Sequence, residues 1–285
     1  MPSHEVRGLP RTQRLSFSGT LAELTRDDLT DKGVVLSIGG AEQSHVEVGE
    51  PDYLLHDYLI RMAAVLQTCA RERLSNRTPE ILHLGAGALT LPRWVQHFWP
   101  SAEQTVVDIE PELVDFVLEH LPMHTPPRNV VAYAAEVIGA GGALEVASFD
   151  VVVVDLFNSA DAPGHLISPE FHAAAFSKVS PGGLLLVNLG DEPPMDFVRA
   201  QVRSLLAADP GTGSDAGLLS APNEVLEGRQ EGNLTFAARK SEPLLETELN
   251  AIWASGPHPG DVLSGQELLD WAQPARPEYS HKTSH

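Results

Sequence analysis

The sequence predicts an α/β fold in which a doubly wound parallel sheet follows a small antiparallel β unit. From residue 80 onward, short apolar runs alternate with segments of helical periodicity, a pattern typical of consecutive strand–helix units. One run, residues 149–155, contains four consecutive valines, as expected for a strand that is buried on both faces. Nearer the N-terminus, Gly39 and Gly40 separate two apolar runs and indicate a tight hairpin.

The composition limits the classes of function. The chain has 285 residues, 42% of them hydrophobic, which suffices for one large domain or for a main domain with a small second one. Its formal net charge of −20 argues against a nucleic-acid-binding protein, because phosphate recognition needs a basic surface. The acidity either keeps the protein in solution or attracts a cationic small molecule.

The sequence also allows predictions about cellular location and bound metals. No apolar run approaches the roughly 20 residues that cross a bilayer, so we expect no membrane association. The first residues lack the apolar core of a secretory signal, so a cytoplasmic location is expected. Cys69 is the single cysteine, which rules out an internal disulfide and a cysteine-based zinc cluster, and we expect no bound metal.

Three kinds of segment are predicted before residue 80, in chain order: a flexible arm without apolar periodicity, three short strands joined by turns, and an amphipathic helix. They span residues 1–14 for the arm, residues 17–24, 34–38 and 43–48 for the strands, and residues 53–74 for the helix. The strands make up an N-terminal β unit over residues 15–52.

The remaining segments are predicted to build the main sheet. Its parallel strands are expected at residues 80–84, 104–109, 129–133, 149–155 and 184–189, with helices at residues 89–98, 111–121, 169–178 and 194–207. Strands near residues 218–220 and 233–238 are expected to close the sheet as a hairpin. We therefore assign the helix and main domain to residues 53–256 and a C-terminal tail, with one short helix at 266–271, to residues 257–285.

The first strand of the main sheet ends in a glycine-containing turn. Gly85 and Gly87 allow the backbone to approach a ligand closely, although the same turn also serves as a plain strand-to-helix connection. A dinucleotide fingerprint needs a third glycine where Thr90 stands, so NAD is disfavoured.

Carboxylates follow the next strands at the same edge of the sheet. Asp108 stands about 20 residues after the turn, the spacing of a ribose-binding carboxylate, with Glu110 as a nearby rival. Glu136 is either an acceptor for an adenine amino group or a charge that favours a helix N-terminus. Asp155 ends the valine-rich strand; a carboxylate there needs a task or a partner, which makes it the best catalytic candidate.

These residues resemble a known family, the spermidine synthases and spermidine-synthase-like proteins. The most specific stretch is residues 149–189, with a strand ending in Asp155, a loop, and Ser180-Pro181-Gly182-Gly183 before the next strand. Further similarity lies in residues 40–43, in His56-Asp57 and in residues 107–111. The resemblance implies a small N-terminal β domain beside a Rossmann-like, methyltransferase-type domain, usually in a homodimer.

The resemblance also implies an activity: transfer of an aminopropyl group from decarboxylated S-adenosylmethionine to a small cationic amine such as putrescine. Asp108 would then hold the ribose, Glu136 the adenine, and His56 would lie near the aminopropyl group. Asp155 takes the position of the catalytic aspartate, and Asn158 that of an aspartate used for the diamine.

Two positions depart from the family's pattern. Ala88 replaces the aspartate expected to hold the aminopropyl amine, and Asn158 replaces the second loop aspartate. Both departures remove negative charge from a site for a polycation. Two alternatives therefore stay open: an S-adenosylmethionine-dependent methyltransferase acting on a small molecule, and a non-catalytic adenosyl-binding relative.

Overall fold

A computed structural model describes residues 8–156, 162–209, 211 and 213–274 of the chain. Within this part, the chain forms two β-sheets and a set of helices that cover the larger sheet. The strands are β1 Arg11–Arg14, β2 Leu21–Arg26, β3 Gly33–Ile38, β4 Ala41–Glu47, β5 Glu80–Leu84, β6 Glu103–Asp108, β7 Arg128–Val131, β8 Phe149–Val154, β9 Val179–Asp191, β10 Gly217–Pro222, β11 Gly232–Arg239 and β12 Gly260–Ser264.

The larger sheet has the order β12-β10-β11-β9-β8-β5-β6-β7 across the described residues. Strands β7, β6, β5, β8 and β9 run parallel to one another. The inserted strand β11 runs antiparallel to both β9 and β10, and β12 runs antiparallel to β10. The strand order reverses beside β5, and in such sheets ligands bind at the carboxyl ends of the strands near this point.

Helices cover both faces of the larger sheet. They are α1 Asp57–Val65, α2 Arg71–Ser75, α3 Thr90–Phe98, α4 Leu113–His120, α5 Ala134–Ile138, α6 Pro169–Ser177, α7 Asp196–Ala207, α8 Asn223–Leu226, α9 Glu246–Ser255 and α10 Gly265–Trp271. The valines of β8 alternate between the two helical layers: Val151 and Val153 pack with α1, and Val152 and Val154 with α6 and α7. This alternation explains why the strand reads as one continuous apolar run.

The smaller sheet has the order β1-β2-β3-β4 within the described residues, with antiparallel neighbours throughout. Gly39 and Gly40 both have positive φ, at 61° and 85°, and connect Ile38 to its register partner Ala41 in a two-residue turn. The expected hairpin across Gly39 and Gly40 is confirmed, and β2, which begins at Leu21 rather than at residue 17, pairs with β3. One face of the sheet buries Leu24, Leu36 and their neighbours against the turn after β5 and against α4.

Three predictions about segments need correction. Arg11–Arg14, placed in the flexible arm, forms the edge strand β1, and residues 1–7 of that arm lie outside the described part of the chain. Gly260–Ser264, placed in the tail, forms the edge strand β12. The predicted helix over 53–74 begins at Asp57 and contains a π-helical segment, Leu66–Ala70, between α1 and α2. The division of the chain at residue 53 stays a prediction.

Among the described residues, none of the helices is both long enough and apolar enough to span a bilayer.

Candidate functional site

Three of the predicted site segments meet at one edge of the larger sheet. Gly85 N–H donates to the Val107 carbonyl at 2.9 Å, and Asp155 N–H donates to the Leu84 carbonyl at 2.9 Å. These bonds tie the segment that follows β5 to β6, and the segment that follows β8 to β5. The glycine turn therefore lies between the strand end that carries Asp108 and the one that carries Asp155.

The glycines of the turn are required by contacts within the protein. Gly85 has φ 103° and Gly87 has φ 48°, conformations that L side chains rarely adopt. A Cβ atom on Gly85 would collide with the Asp155 carbonyl, and one on Gly87 would collide with the Ser44 hydroxyl. Close packing of the turn against Asp155 and β4 thus explains both residues, and a ligand-facing role for them stays a prediction.

Strand β4 covers the N-terminal side of α3. Ser44 Oγ accepts from Ala88 N–H at 3.1 Å, and Thr90 Oγ1 donates to the His45 carbonyl at 2.8 Å. The small sheet therefore fixes the conformation of the glycine turn. Sequence reasoning missed Ser44 because it lies more than 40 residues from the turn and belongs to no motif.

Asp108 is held in place by backbone amides. Its Oδ2 accepts from Ala86 N–H at 2.9 Å, and its Oδ1 accepts from Glu110 N–H at 2.9 Å. Burial raises the pKa of Asp108, although these backbone bonds oppose the rise. A carboxylate oxygen has two lone pairs, so each oxygen can still accept a hydrogen bond from a ligand hydroxyl.

The rival carboxylate, Glu110, serves the small sheet. Its carboxylate accepts from the backbone N–H groups of Phe17 and Ser18, at 3.3 and 3.1 Å, in the turn between β1 and β2. Glu110 is buried, and both of its carboxylate oxygens accept one of these bonds. The structure thus favours Asp108 over Glu110 as the carboxylate that a ligand would meet.

The carboxylate of Asp155 accepts a hydrogen bond from another side chain on each of its two oxygens. Tyr58 Oη donates to Asp155 Oδ2 at 3.1 Å, and Asn188 Nδ2 donates to Oδ1 at 2.9 Å. Burial raises the pKa of Asp155, and the two hydrogen bonds partly offset this rise. A partly buried carboxylate with a raised pKa at a strand end is a typical candidate for proton chemistry.

His56 lies at the N-terminal end of α1, close to Asp155 through one intervening side chain. Its ring stacks on Tyr58 with centroids 6.0 Å apart and an interplanar angle of 17°. Its Nε2 is 3.6 Å from Glu42 Oε1. Burial lowers the pKa of His56, although the Glu42 charge opposes this.

The remaining predicted residues are less closely joined to this site. Glu136 is exposed and stands in the first turn of α5, where it fits either of its predicted roles. Asn158 lies outside the described residues. Tyr58 and Asn188 were not predicted, because neither belongs to a polar cluster in the sequence and only the fold brings them to Asp155.

In the ranges that the structure describes, no group of three or more His, Cys, Asp or Glu side chains could hold a metal ion.

Comparisons with known proteins agree with the fold. No protein-family model matches the chain. A probable polyamine aminopropyl transferase of Bifidobacterium longum is 24% identical over 201 residues, which cover 61% of this chain and 43% of that protein. The structure of a probable spermidine synthase from Corynebacterium glutamicum superimposes with a TM-score of 0.81 at 24% identity, covering 93% of this chain and 94% of the other.

A third likeness concerns the methyltransferase-type fold. Human methyltransferase-like protein 13, solved in complex with SAH, superimposes with a TM-score of 0.54 at 17% identity, covering 80% of this chain and 98% of the other. The predicted fold class is thus confirmed, and the chain is similar to the spermidine synthases. The matched part spans less than half the length of the Bifidobacterium longum relative.

Proposed function

We propose that the protein transfers an aminopropyl group from decarboxylated S-adenosylmethionine to a small cationic amine, as the names of its relatives suggest. One observation carries this proposal: Asp155, partly buried and held by two hydrogen bonds, lies beside the glycine turn that Asp108 also contacts. The fixed carboxylate of Asp155 supplies a negative charge for an amine. The nearby carboxylate of Asp108 is suited to bind a ribose. No metal takes part in the proposed reaction.

The chemistry requires an acceptor amine to lose its charge. The amine nitrogen attacks the carbon beside the sulfonium, the carbon–sulfur bond breaks, its electron pair stays on sulfur, and methylthioadenosine leaves. The new ammonium then releases a proton. In this proposal Asp155 orients the attacking amine and stabilises the positive charge that develops on it. Its raised pKa also makes it a better proton acceptor than an exposed aspartate.

The binding site for the nucleoside rests on Asp108 in this proposal. Its carboxylate is fixed by two backbone amides, so it would accept the ribose hydroxyls without losing side-chain freedom. The net charge of −20 supports a cationic acceptor, since an acidic protein concentrates cations near its surface. Glu136 and His56 are assigned to the adenine and to the aminopropyl group.

The test is replacement of Asp155 by asparagine, which preserves size and removes the charge. We expect Asp155→Asn to keep its fold and its affinity for methylthioadenosine. Its rate of methylthioadenosine release from decarboxylated S-adenosylmethionine with putrescine should fall by at least a hundredfold, as for other losses of charge stabilisation. Asp115→Asn, on the exposed side of α4, is the matched control and should turn over like the wild type.

An active Asp155→Asn protein would contradict the proposed role of Asp155. A wild type that binds methylthioadenosine but shows no turnover with several amines would instead favour a non-catalytic adenosyl-binding protein.

Methyl transfer from S-adenosylmethionine is the second candidate. The observation in its favour is Ala88, which is fully buried among apolar side chains and brings no carboxylate to the glycine turn. S-adenosylmethionine has the same amine as its decarboxylated form and also a carboxylate, which an aspartate at position 88 would repel and Ala88 does not. Methyl transfer would use the same glycine turn and Asp108.

The proposal extends to the state of the protein in the cell. A homodimer is part of it, because the resembled enzymes usually form one. A cytoplasmic location is also part of it, as expected from the sequence. Gel filtration with light scattering and fractionation of the source cells test these two points.

A further inference from the structure

Each oxygen of the Asp155 carboxylate accepts a hydrogen bond, and the two donors lie on different elements. Tyr58 approaches from α1, with Oη 3.1 Å from Oδ2. Asn188 approaches from β9, the neighbouring parallel strand, with Nδ2 2.9 Å from Oδ1. The backbone of Asp155 is tied to β5 through its bond to the Leu84 carbonyl. Three elements therefore fix the position and the plane of one carboxylate.

Tyr58 is itself held firmly. Its side chain is buried, and its ring stacks on that of His56. The Tyr58 carbonyl accepts from Thr235 Oγ1 at 3.2 Å, which joins α1 to β11. Burial and the nearby Asp155 charge raise the pKa of Tyr58 well above 10, so its hydroxyl stays protonated and can donate at neutral pH.

We propose that Tyr58 and Asn188 are positioning residues for Asp155: they orient its carboxylate so that the remaining lone pairs face the acceptor amine. This inference rests on the proposed function. Each donor occupies one lone pair of one oxygen, so a substrate meets a carboxylate with a single orientation. Without the donors, the side chain is free to rotate away from the attacking nitrogen.

The same two bonds set the protonation of the carboxylate. Burial favours the neutral acid, whereas hydrogen bonds from Tyr58 and Asn188 favour the anion. On α1, the titratable neighbours are Tyr58 and, stacked against it, His56; the β9 neighbour Asn188 is uncharged. Loss of either donor should therefore raise the pKa of Asp155 further. If the two hydrogen bonds only stabilised the fold, their loss would not shift the pH profile of turnover.

The first variant is Tyr58→Phe, which keeps the ring and its stacking on His56 and removes only the hydroxyl. We expect the acid limb of the pH profile of kcat/KM to move to higher pH. Turnover at pH 7 should fall about tenfold, the effect of losing one hydrogen bond to a charged group. Affinity for methylthioadenosine should not change.

Two further variants complete the set. Asn188→Ala should shift the acid limb in the same direction as Tyr58→Phe. Tyr53→Phe is the matched control, because Tyr53 is partly exposed and its ring contacts His45 in the small sheet. It should leave the pH profile where the wild type has it.

The outcomes separate this inference from the proposed function. If the wild type shows no aminopropyl transfer, the proposed function fails, and the positioning is then measured directly from the carboxyl carbon of Asp155 by NMR titration. A higher Asp155 pKa in Tyr58→Phe and Asn188→Ala than in the wild type supports the inference. Superimposable pH profiles, or an unchanged Asp155 pKa, in both folded variants overturn it.

Discussion

Asp108 and Glu110 stand two residues apart and have separate surroundings. Asp108 accepts from the backbone of the glycine turn, whereas Glu110 accepts from the turn between β1 and β2. Strand periodicity places both side chains near the same edge and cannot separate them. The difference arises from the small sheet, which supplies donors to Glu110 alone.

Replacement of Asp108 tests its assignment to the ribose. Asp108→Ala should lower the affinity for methylthioadenosine at least tenfold, because hydrogen bonds to a charged group contribute roughly 1.5–3 kcal/mol each. Isothermal titration calorimetry measures this affinity, and circular dichroism checks the fold. Asp115→Ala, a change of the same kind on the exposed side of α4, should bind like the wild type. Equal affinities in folded Asp108→Ala and wild type would remove the ribose site from Asp108.

The candidate site was predictable where a residue ends a strand. Asp108 and Asp155 both follow apolar strands, and the fold brings both to the expected edge. Tyr58 and Asn188 could not be predicted, because a hydroxyl in a helix and an amide in a strand carry no signal of their own. Their contacts depend on how α1 and β9 pack around β8.

The π-helical segment Leu66–Ala70 is the main irregularity among the helices. Arg239 of β11 donates to the Cys69 carbonyl within this segment at 3.3 Å. The same guanidinium bonds to Glu248 of α9 at 2.5 Å and to the Pro243 carbonyl at 3.1 Å. Burial raises the pKa of the Cys69 thiol to about 12, so it stays protonated. A π turn leaves backbone carbonyls in unusual positions, and Arg239 satisfies one of them.

Arg239→Met should therefore weaken this part of the fold. The variant keeps an apolar stem but removes the donor to the Cys69 carbonyl and the charged partner of Glu248, which keeps its bond from Leu245 N–H. The free energy of unfolding should therefore drop by about 2–3 kcal/mol. Urea denaturation measures the change. Arg229→Met removes an exposed ion pair with Glu227 and should cost less than about 1 kcal/mol. Equal losses in the two variants would contradict the role given to Arg239.

The elements also show which patterns sequence can read. Apolar spacing over 53–74 predicts a helix there, but not its start at Asp57 or its π segment. Arg239, which donates to the Cys69 carbonyl in that segment, lies far along the chain. The edge strands β1 and β12 were missed for another reason. Each has only four or five residues with few buried side chains, so neither shows a clear alternation.

Two buried histidines should make the stability of the whole molecule fall at acidic pH. Burial lowers the pKa of His83 in β5 and of His172 in α6 from 6.5 to about 4. Their rings contact Gln104 Oε1 and Ser204 Oγ, each at 2.9 Å. Since the unfolded chain binds these protons more readily, stability should be complete above pH 6.5 and fall as the pH drops toward 4.

The measurement is the free energy of unfolding at several pH values between 5 and 7. His83→Gln and His172→Asn keep a polar partner for each neighbour, and each should make the pH dependence shallower by up to one proton. Other titrating groups are common to all variants and cancel in the comparison. His97→Asn, at an exposed position of α3, should keep the wild-type slope. Identical slopes in all four proteins would contradict the prediction.

At the scale of the whole molecule, the parallel sheet was predictable because each of its central strands is a short apolar run between helical segments. The packing position of the small sheet was not predictable from the sequence. It packs against the glycine turn and α4 through side chains, such as Leu24 and Ala88, that look like ordinary apolar residues in the sequence. Within that contact Ala88 is fully buried among apolar side chains.

The most direct test of the account identifies the nucleoside product. The purified protein is incubated with putrescine and either decarboxylated S-adenosylmethionine or S-adenosylmethionine. The products are separated by chromatography and identified by mass spectrometry. We expect methylthioadenosine and an aminopropylated amine from the decarboxylated donor alone, and expect both products to be lost in Asp155→Asn. S-adenosylhomocysteine formed from S-adenosylmethionine with a small acceptor, and no methylthioadenosine from the decarboxylated donor, would contradict it.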